Sequence, residues 1–376
     1  MSHLNLIPLG KVASIISGYA FKSEQFTDSG VPVIKIANIK NGAIVFGQGD
    51  KEFLPDDFVH ATNKKFHVAR GDVLISLTGS HVTQPSSVVG RVAQYKENFL
   101  SLLNQRAGKL VLRADAGADL TFLYYILSTS TARMEIAMLA HGAANQANVS
   151  PKDVEKLKFN LPKKSEQTKI AAILLAYDDL IENNQRRIAL LEKMAEEIYR
   201  EWFVRLRFPG HEKVKFIKGV PEGWKLVKLE NAFKFTGGGT PTKEVNRYWD
   251  GGDVNWFTPS DITGANGIFL ERSGGQCTEE GFNNSSAKMF PAYSVMLTSR
   301  ATIGAVGINL TPASTNQGFI TCIPNAQYPL PYLYHWIKLA KPHFELLSWM
   351  NMGTILNMTS KPRSIRCNWC LSAPCG

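Results

Sequence analysis

Long apolar runs and a disulfide-type spacing of cysteines are the first features that this 376-residue sequence lacks. No run of eighteen or more apolar residues occurs, and the first thirty residues lack a basic stretch followed by an apolar one. We therefore expect neither a membrane span nor a secretion signal. The expected location of the protein is the cytoplasm. Three of the five cysteines (Cys367, Cys370 and Cys375) fall near the end of the chain, which is not the pattern of a disulfide framework.

Recognisable catalytic constellations are missing as well. No phosphate-binding loop of the form G-x-x-x-x-G-K-[ST] occurs, so ATP-driven work would belong to another chain. The histidines His81, His141 and His343 are isolated in the sequence, without a nearby nucleophile or ligand set. We therefore expect a chain that is not an enzyme by itself and that has no catalytic residue, no metal site and no cofactor.

Two short motifs leave an alternative open. Residues 235–239 (FTGGG) fit the F-x-G-x-G turn of S-adenosylmethionine enzymes, but no N-P-P-Y or D-P-P-Y tetrapeptide accompanies them. Cys367 and Cys370 have the spacing of a zinc half-site, without a second pair of ligands. We favour a plain turn or DNA-facing loop for the first motif and no metal for the second.

The charge of the chain lies mainly in its outer segments. Of the net charge of +10, residues 1–162 contribute 17 basic and 13 acidic side chains, and residues 208–376 contribute 16 and 11. Residues 163–207 are nearly balanced, with 9 and 8. Two basic segments permit a polyanionic partner through neutralisation of its phosphates.

The balanced middle segment predicts one long amphipathic helix. Apolar residues recur there at helical spacing, between Pro162 with Ser165 on one side and Pro209 with Gly210 on the other. Such a helix of about 43 residues would be about 65 Å long. Its seven-residue register predicts a coiled-coil seam for a partner helix, in which Asn184 fixes the register or is simply exposed to solvent. The predicted seam consists of Ile170, Leu174, Tyr177, Ile181, Asn184, Ile188, Leu191, Ile198 and Trp202.

The segments on either side of this helix resemble each other. Six landmarks recur in the same order at an offset of about 210 to 220 residues. Each copy mixes short β-rich runs with a helix near its end, at 120–139 and at 330–350. The sequence therefore predicts an α+β protein with two duplicated mixed α/β heads separated by the long helix. The paired landmarks are 9–12 with 229–232, 33–39 with 254–262, 71–74 with 293–296, 89–90 with 306–307, 104–105 with 316–317, and 122–124 with 332–334.

Polar side chains lie at the predicted strand ends of both heads. Amide, hydroxyl and cationic groups there could form hydrogen bonds with base edges in a DNA groove. For each of them a turn-capping or solvated role is the alternative. The candidates are Lys35, Asn38, Lys40, Thr78, Ser80 and His81 in the first head, and Lys243, Thr258, Ser260, Asp261, Arg300 and Thr302 in the second.

Two patterns flank and enter the long helix. The spacing L-P-x-x-x-E-Q-x-x-I-x-x-x-L-x-x-x-D-x-x-I is matched by Leu161, Pro162, Glu166, Gln167, Ile170, Leu174, Asp178 and Ile181. The second pattern is VPEGW at 220–224, followed by Leu229. Both resemble the specificity (S) subunit of type I restriction-modification enzymes, and the resemblance extends from residue 1 to about residue 360.

The resemblance implies two target-recognition domains, 1–162 and 211–360, which each read one half of a bipartite double-stranded DNA site. It also implies that the spacer helix, 163–210, docks methyltransferase subunits, and that partner chains methylate adenine and perform restriction. One alternative is an interaction scaffold that binds methyltransferase subunits without reading DNA. A stand-alone methyltransferase would rest on the FTGGG turn alone.

Residues 361–376 depart from the family pattern. The second copy follows the first as far as 357–360, which parallels 148–150, and then reads KPRSIRCNWCLSAPCG from residue 361. We expect this stretch to be an aberrant, truncated tail without a second spacer helix. The seam of the first spacer helix would then pair with another copy of the chain or with helices of a partner.

Overall fold

A computed structural model describes residues 6–40, 42–47, 52–79, 88–143, 146–227, 229–300, 302–350 and 371–372. The chain divides into two compact units, residues 1–185 and 186–376, with the boundary inside the long helix. Each unit therefore contains one head and the part of the helix that packs against it. None of the described helices combines the length and the apolar character needed to cross a membrane.

The first unit consists of short strands, short helices and the beginning of the long helix. Its strands are β1 Leu6–Pro8, β2 Ala13–Ser17, β3 Val31–Ile34, β4 Phe53–Leu54, β5 His67–Val68, β6 Val73–Ser76, β7 Thr78–Gly79, β8 Val92–Gln94, β9 Ser101–Leu103, β10 Ala107–Leu112, β11 His141–Ala143, β12 Gln146–Asn148 and β13 Lys158–Asn160. Its helices are α1 Leu9–Val12, α2 Phe58–Ala61, α3 Leu120–Ser128, α4 Ser130–Met138, α5 Pro151–Glu155 and α6 Lys164–Tyr199.

Two four-stranded sheets form the centre of the first head. One has the order β2-β10-β6-β8 and is antiparallel; the other has the order β4-β3-β9-β5, with β3 and β9 parallel. Every residue of β6 is buried, because the side chains on its two faces pack into two different hydrophobic clusters. Val73 and Ile75 pack with Leu123 of α3, whereas Leu74 packs with Ile34 of β3. The first sheet is therefore covered by α3 on one face and by the second sheet on the other.

The second unit contains the end of α6 and the second head. Its strands are β14 Phe216–Ile217, β15 Val220–Pro221, β16 Lys225–Leu226, β17 Lys234–Gly237, β18 Val254–Phe257, β19 Phe269–Leu270, β20 Gly275–Cys277, β21 Val295–Thr298, β22 Val306–Asn309, β23 Ser314–Thr315, β24 Phe319–Ile323 and β25 Leu371–Ser372. Its further helices are α7 Leu229–Ala232, α8 Pro259–Thr263, α9 Glu279–Asn283 and α10 Leu330–Met350.

The second head repeats the strand pairings of the first. Strands β17, β24, β21 and β22 are neighbours in the same order as β2, β10, β6 and β8. Strand β18 pairs parallel with β23 and antiparallel with β20, as β3 does with β9 and β4. Helices α1 and α7 precede the first of these strands, and α3 and α10 follow the last. The predicted α+β class with duplicated heads is thus confirmed.

One of the six landmark pairs is displaced. The sequence pairs Gly90 with Gly307, but Gly307 lies inside β22. The counterpart of Gly90 is Gly304: φ is 72° at Gly90 and 82° at Gly304, and their amides donate to Ser76 O and Thr298 O at the ends of matched strands. A connection that requires positive φ favours glycine, so backbone conformation decides the match.

The predicted helix at 120–139 is two helices. Thr129 between α3 and α4 is extended, with φ −65° and ψ 148°, and its side chain accepts a hydrogen bond from Ala132 N. Threonine at this position therefore ends one helix and caps the next. The predicted helix at the end of the second head has the bounds Leu330–Met350, as expected.

The long helix α6 is shorter than the predicted helix of about 43 residues. It has 36 residues and is followed by a π-helical turn, Arg200–Val204. The wider turn accompanies aromatic packing, because Tyr199 and Phe203 both contact Tyr332, with ring centroids 5.4 and 4.8 Å apart. Tertiary contacts with the second head therefore decide where the regular α-helix ends.

Beyond Met350 the structure describes only Leu371 and Ser372. They form β25 and pair antiparallel with β16. In the first unit β13, which immediately precedes α6, pairs antiparallel with β1. The rest of the predicted tail, 361–376, including its cysteines, lies outside the described residues.

Candidate nucleic-acid interface

Several strand ends of the first head converge on the loop between β9 and β10. Asn104 N donates to Ile34 O at the end of β3 (3.0 Å), and Leu77 N, just after β6, donates to Arg106 O (3.0 Å). The amide of Tyr19, just after β2, donates to the last residue of β9 (2.8 Å). The ends of β2, β3 and β6 are therefore held to one loop by backbone hydrogen bonds.

The second head holds the loop between β23 and β24 by the same three bonds. Asn316 N donates to Phe257 O (3.0 Å), Ser299 N donates to Gly318 O (2.8 Å), and Gly239 N donates to the last residue of β23 (2.9 Å). We call residues 104–106 and 316–318 the NQ loops, after the Asn-Gln pair in each. The end of a head at which its NQ loop meets these strand ends is called the convergent edge.

A glycine packs against each NQ loop. A Cβ atom on Gly18 would come closer than 3.0 Å to the carbonyl oxygens of Leu103 and Asn104, and one on Gly238 would meet Thr315 and Asn316 in the same way. Side chains do not fit where two backbones approach so closely. Gly238 of the FTGGG motif therefore has a packing role that the first head reproduces.

The predicted reading residues of the first head have different surroundings. Asn38 is fully buried: its side-chain oxygen accepts from Lys35 N, and its side-chain nitrogen donates to Val45 O and Glu52 Oε1. This amide stabilises a turn, which corrects the prediction for Asn38: in the described structure its side chain is not accessible to DNA. The Lys35 ammonium lies 4.1 Å from the centroid of the Phe26 ring.

The remaining candidates of this head lie nearer to the convergent edge or outside the described residues. Lys35 directly follows β3, and Thr78 directly follows Leu77, so both belong to the convergent edge; the Thr78 side chain is buried in β7. Lys40 is half-buried, and its backbone amide donates to Ala43 O. Ser80 and His81 are outside the described residues.

In the second head, Thr258 and Asp261 bind each other. Asp261 Oδ2 accepts from the backbone amide and from the hydroxyl of Thr258 (2.6 and 2.8 Å), and its Oδ1 accepts from Gly274 N (2.9 Å). This arrangement caps α8 and occupies both carboxylate oxygens. Ser260 is exposed, and its hydroxyl lies 2.8 Å from that of Thr258.

Two exposed candidates of the second head, Ser260 and Arg300, lie beside the NQ loop. A Cβ atom on Gly318 would contact Pro259, which places neighbouring Ser260 at the convergent edge, and Arg300 directly follows the strand end that binds Gly318. Lys243, Arg300 and Thr302 are exposed. The prediction that strand-end side chains face DNA stays a prediction for these residues.

Sequence reasoning missed the NQ loops as surface features. Gln105, Arg106 and Gln317 are exposed, and Thr240 Oγ1 donates to Gln317 Oε1 (2.5 Å). Tyr19 is 48% exposed, although its ring packs on neighbouring phenylalanines. The repeated Asn-Gln pair was the available signal, because it occurs at matched positions of both copies.

The predicted seam of α6 is exposed throughout its length. The exposed fraction is 54% at Ile181, 56% at Ile188 and 61% at Leu191, and every other predicted seam residue is exposed too. Gln167, Ala171 and Tyr199, on other faces of the helix, are buried. A continuous apolar stripe of this kind is typical of a surface that binds a partner.

Polar contacts attach α6 to the first head. Tyr125 of α3 donates its hydroxyl to Asp178 Oδ2 (2.8 Å), and Lys96 Nζ lies 2.9 Å from Glu182 Oε2. Burial, and then this bond to Asp178, raises the pKa of Tyr125. Burial lowers the pKa of Lys96, but the bond to Glu182 and nearby carboxylates outweigh it and raise the pKa overall. A cleft of about 360 Å³ lies between these elements.

Aromatic contacts attach the end of α6 to the second head. His335 of α10 is buried, with its ring centroid 5.7 Å from that of Tyr199. Its Nδ1 has no hydrogen-bond partner among the described residues, and burial, followed by the charge of Lys338, lowers its pKa. Lys338 also forms an ion pair with Glu196 at 3.1 Å. Helices α3 and α10 thus contact different parts of α6.

Metal-binding clusters are not found in the described part of the chain, where no group of three or more His, Cys, Asp or Glu side chains could hold an ion. Cys277 and Cys322 are buried free thiols there, and burial raises the pKa of both. The Cys367 and Cys370 pair lies outside the described residues.

Known proteins resemble this chain in sequence. The specificity subunit of type I restriction enzyme MjaIX from Methanocaldococcus jannaschii is 35% identical over 137 residues, which are 36% of this chain and 32% of that protein. The HindI specificity subunit from Haemophilus influenzae is 23% identical over 277 residues, which are 58% of this chain and 60% of that protein. The chain thus spans less than two thirds of the length of either relative.

The fold also matches a solved structure. The crystal structure of the type I restriction-modification system S subunit from M. genitalium has a TM-score of 0.60 and 19% sequence identity, over 93% of this chain and 81% of that one. Residues 1–193 and 221–361 match the family model of the type I restriction modification DNA specificity domain. Since these residues make up most of the chain, it belongs to the family of type I restriction modification DNA specificity domains.

Proposed function

We propose that this chain is the DNA specificity subunit of a type I restriction-modification complex. It recognises a bipartite site in double-stranded DNA and docks methyltransferase subunits and, through them, restriction subunits. The chain itself is non-catalytic and works in the cytoplasm, where its DNA is. The observation that carries the proposal is the duplicated convergent edge, which occurs in two heads of a chain that belongs to the specificity family.

The two heads divide the recognition. Basic side chains position each head on phosphates, whereas side chains at the convergent edges contact base edges and specify the sequence. The two edges differ at matched positions: Lys35 stands where the second head has the capping residue Thr258, and exposed Arg300 stands where the first head has buried Thr78. The half-sites are therefore expected to differ, and the bases between them to go unread.

The exposed seam of α6 supplies the docking surface for the partner chains. Its apolar side chains are too numerous on one helix face to be explained as scattered surface residues. A methyltransferase subunit bound there would extrude the target adenine from the duplex and methylate it, since a base inside the stack cannot reach an active site.

The proposal is tested by co-purifying the chain with its cognate methyltransferase subunit and mapping methylated adenines across a genome. We expect a bipartite motif with unspecified central bases. A stable complex that methylates no motif would support the alternative, a scaffold that does not read DNA. Salt titration separates the two further, because DNA binding weakens steeply as salt rises, whereas docking through an apolar seam does not.

Seam variants test the docking surface separately. Ile188→Asp places a charge in the exposed stripe and should weaken methyltransferase co-purification at least about tenfold, as expected of an interface anchor. Asn183→Asp adds the same charge to an exposed position of the same helix outside the predicted seam, and it should leave docking unchanged. Equal docking by both variants would remove the seam from the proposal.

Self-association through the seam is tested by sedimentation of the isolated chain. If the seam pairs with a second copy, the chain should be dimeric at micromolar concentration and Ile188→Asp should make it monomeric. A monomer with an ordered α6 would contradict self-pairing and leave the partner helices as occupants.

A further inference from the structure

The two convergent edges share one feature although their predicted reading residues differ. Each NQ loop carries Asn followed by Gln, at 104–105 and at 316–317, and each is held by three matched backbone hydrogen bonds and one closely packed glycine. Residues that distinguish two different half-sites must differ between the heads. A surface residue that is the same in both heads therefore serves something that both half-sites have in common.

In the second head the asparagine of the pair is explained by the loop itself, but the glutamine is not. Asn316 Oδ1 accepts from Gly318 N (2.8 Å), and both asparagines are only partly exposed. The side chains of Gln105 and Gln317, in contrast, are exposed and do not form the turn. Loop geometry thus accounts for Asn316, whereas the exposed glutamine side chains remain open to a contact outside the chain.

We propose that Gln105 and Gln317 each bind, in the major groove, an A·T base pair that both half-sites contain. This inference rests on the proposed function. A carboxamide has a donor and an acceptor side by side, which is the pattern that matches N7 and N6 of adenine. The same side chain at the same place in both heads provides the shared part of recognition, and the differing residues around it provide the rest.

The surroundings of the two glutamines suit this contact. Thr240 Oγ1 donates to Gln317 Oε1 (2.5 Å), which orients the amide and leaves a second lone pair and the Nε2 hydrogens available for a base. In the first head, exposed Arg106 is next to Gln105, and in the second, exposed Arg300 follows the strand end bound to the loop. Cations so close to each loop favour the approach of phosphates on either side of the contacted pair.

The test uses the complex of the full chain with its methyltransferase subunit and a duplex containing the mapped site. Gln105→Ala and Gln317→Ala should each weaken binding to this site by roughly 5- to 150-fold, the range for loss of one bidentate base contact. Binding to unrelated DNA and the salt dependence should stay unchanged, because no phosphate contact is removed. Gln327→Ala is the matched control: this glutamine is also exposed but lies beyond the other end of β24.

Base substitutions assign the contact. In each half-site, exchanging one A·T pair should weaken binding of the unaltered complex strongly, yet have little further effect once the glutamine of the corresponding head is replaced. Gln105→Ala should show this behaviour in one half-site and Gln317→Ala in the other. Additive effects at every A·T pair would overturn the proposal.

Other outcomes also decide against it. Loss of methyltransferase co-purification by either variant would identify a protein contact, and a lowered unfolding temperature would identify a role within the fold. Unchanged site binding by both variants would overturn the inference while leaving the proposed function intact. If the unaltered complex selects no site, the proposed function itself fails, and the inference fails with it.

Discussion

Replacing Gly238 with alanine tests whether close backbone packing accounts for the FTGGG motif. A Cβ atom at this position would come within 3.0 Å of the carbonyl oxygens of both Thr315 and Asn316, so the NQ loop of the second head must move. Neither oxygen can rotate away, since both belong to a backbone that is paired on its other side. Gly237, the preceding glycine, is the matched control, because no atom lies within 4 Å of a Cβ built there.

The expected cost follows from the displaced contacts. Insertion of a methyl group into a packed site costs about 1–3 kcal/mol. A loop shift of about 1 Å also stretches the hydrogen bonds from Gly239 N to Thr315 O and from Asn316 N to Phe257 O, each worth about 0.5–1.5 kcal/mol. Gly238→Ala should therefore lower the free energy of unfolding by about 2–6 kcal/mol. In a unit of this size, that corresponds to roughly 4–24 °C in Tm.

Thermal and urea unfolding of the full chain measure the effect, and DNA binding by the complex measures its consequence for the convergent edge. Gly237→Ala should change the free energy of unfolding by no more than about 1 kcal/mol, and in the stabilising direction if at all. Equal stability of the two variants would refute the packing argument. If the isolated chain binds S-adenosylmethionine and either substitution abolishes this binding, the FTGGG motif binds a cofactor instead.

Three further predictions concern particular side chains. Burial holds the pKa of His335 below its ordinary value of 6.5, so only the unfolded chain takes up this proton readily. The contribution of neutral His335 to stability should therefore be fully present above pH 6.5 and be lost as the pH falls below that value. In urea unfolding curves measured over a pH series, His335→Phe should flatten this part of the pH dependence, and an unchanged slope would contradict the prediction. Tyr293 has φ 63° at the position where the first head has Gly71, and a residue with a side chain is strained in this left-handed conformation. Tyr293→Gly should therefore raise the free energy of unfolding by up to about 1 kcal/mol in the same assay. A clear decrease would show instead that the Tyr293 side chain stabilises the fold. Tyr125→Phe removes the hydrogen bond to Asp178 and should lower the free energy of local unfolding of α6 by about 1–2 kcal/mol. The effect would be measured as faster hydrogen exchange in the first half of α6. Exchange as slow as in the unaltered chain would show that this bond does not stabilise the attachment of α6.

The sequence was sufficient for features that depend on local pattern. Helical spacing of apolar residues identified α6 and its stripe, because an amphipathic helix is specified by residues three and four apart. The duplication was visible in the order of short landmarks, and the structure reproduces the same strand pairings in both heads. Helix α10 was predicted with its observed bounds, although Pro342 lies inside it.

The candidate site was predicted less well, because it depends on which strand ends meet. Asn38 was predicted at a strand end, but β3 ends at Ile34, and Asn38 lies in a short 3-10 helix where it is buried and bonds to Glu52 and Val45. The convergence of strand ends on the loop of Gln105 could not be inferred from its neighbours in sequence, since this loop is held by segments up to 86 positions earlier in the chain, through Tyr19. A contact between distant segments leaves no periodic signal in either of them.

The amino-acid sequence alone therefore determined the α+β fold class, the two heads and the long helix, all of which follow from the spacing of residues along the chain. Tertiary structure decided the end of α6, where aromatic packing of Tyr199 on the second head replaces the regular helix by a π turn. It also decided the pairing of Gly90 with Gly304 and the convergence of strand ends on the NQ loops. These features depend on backbone conformation and on hydrogen bonds between remote segments, which come into existence only when the chain has folded.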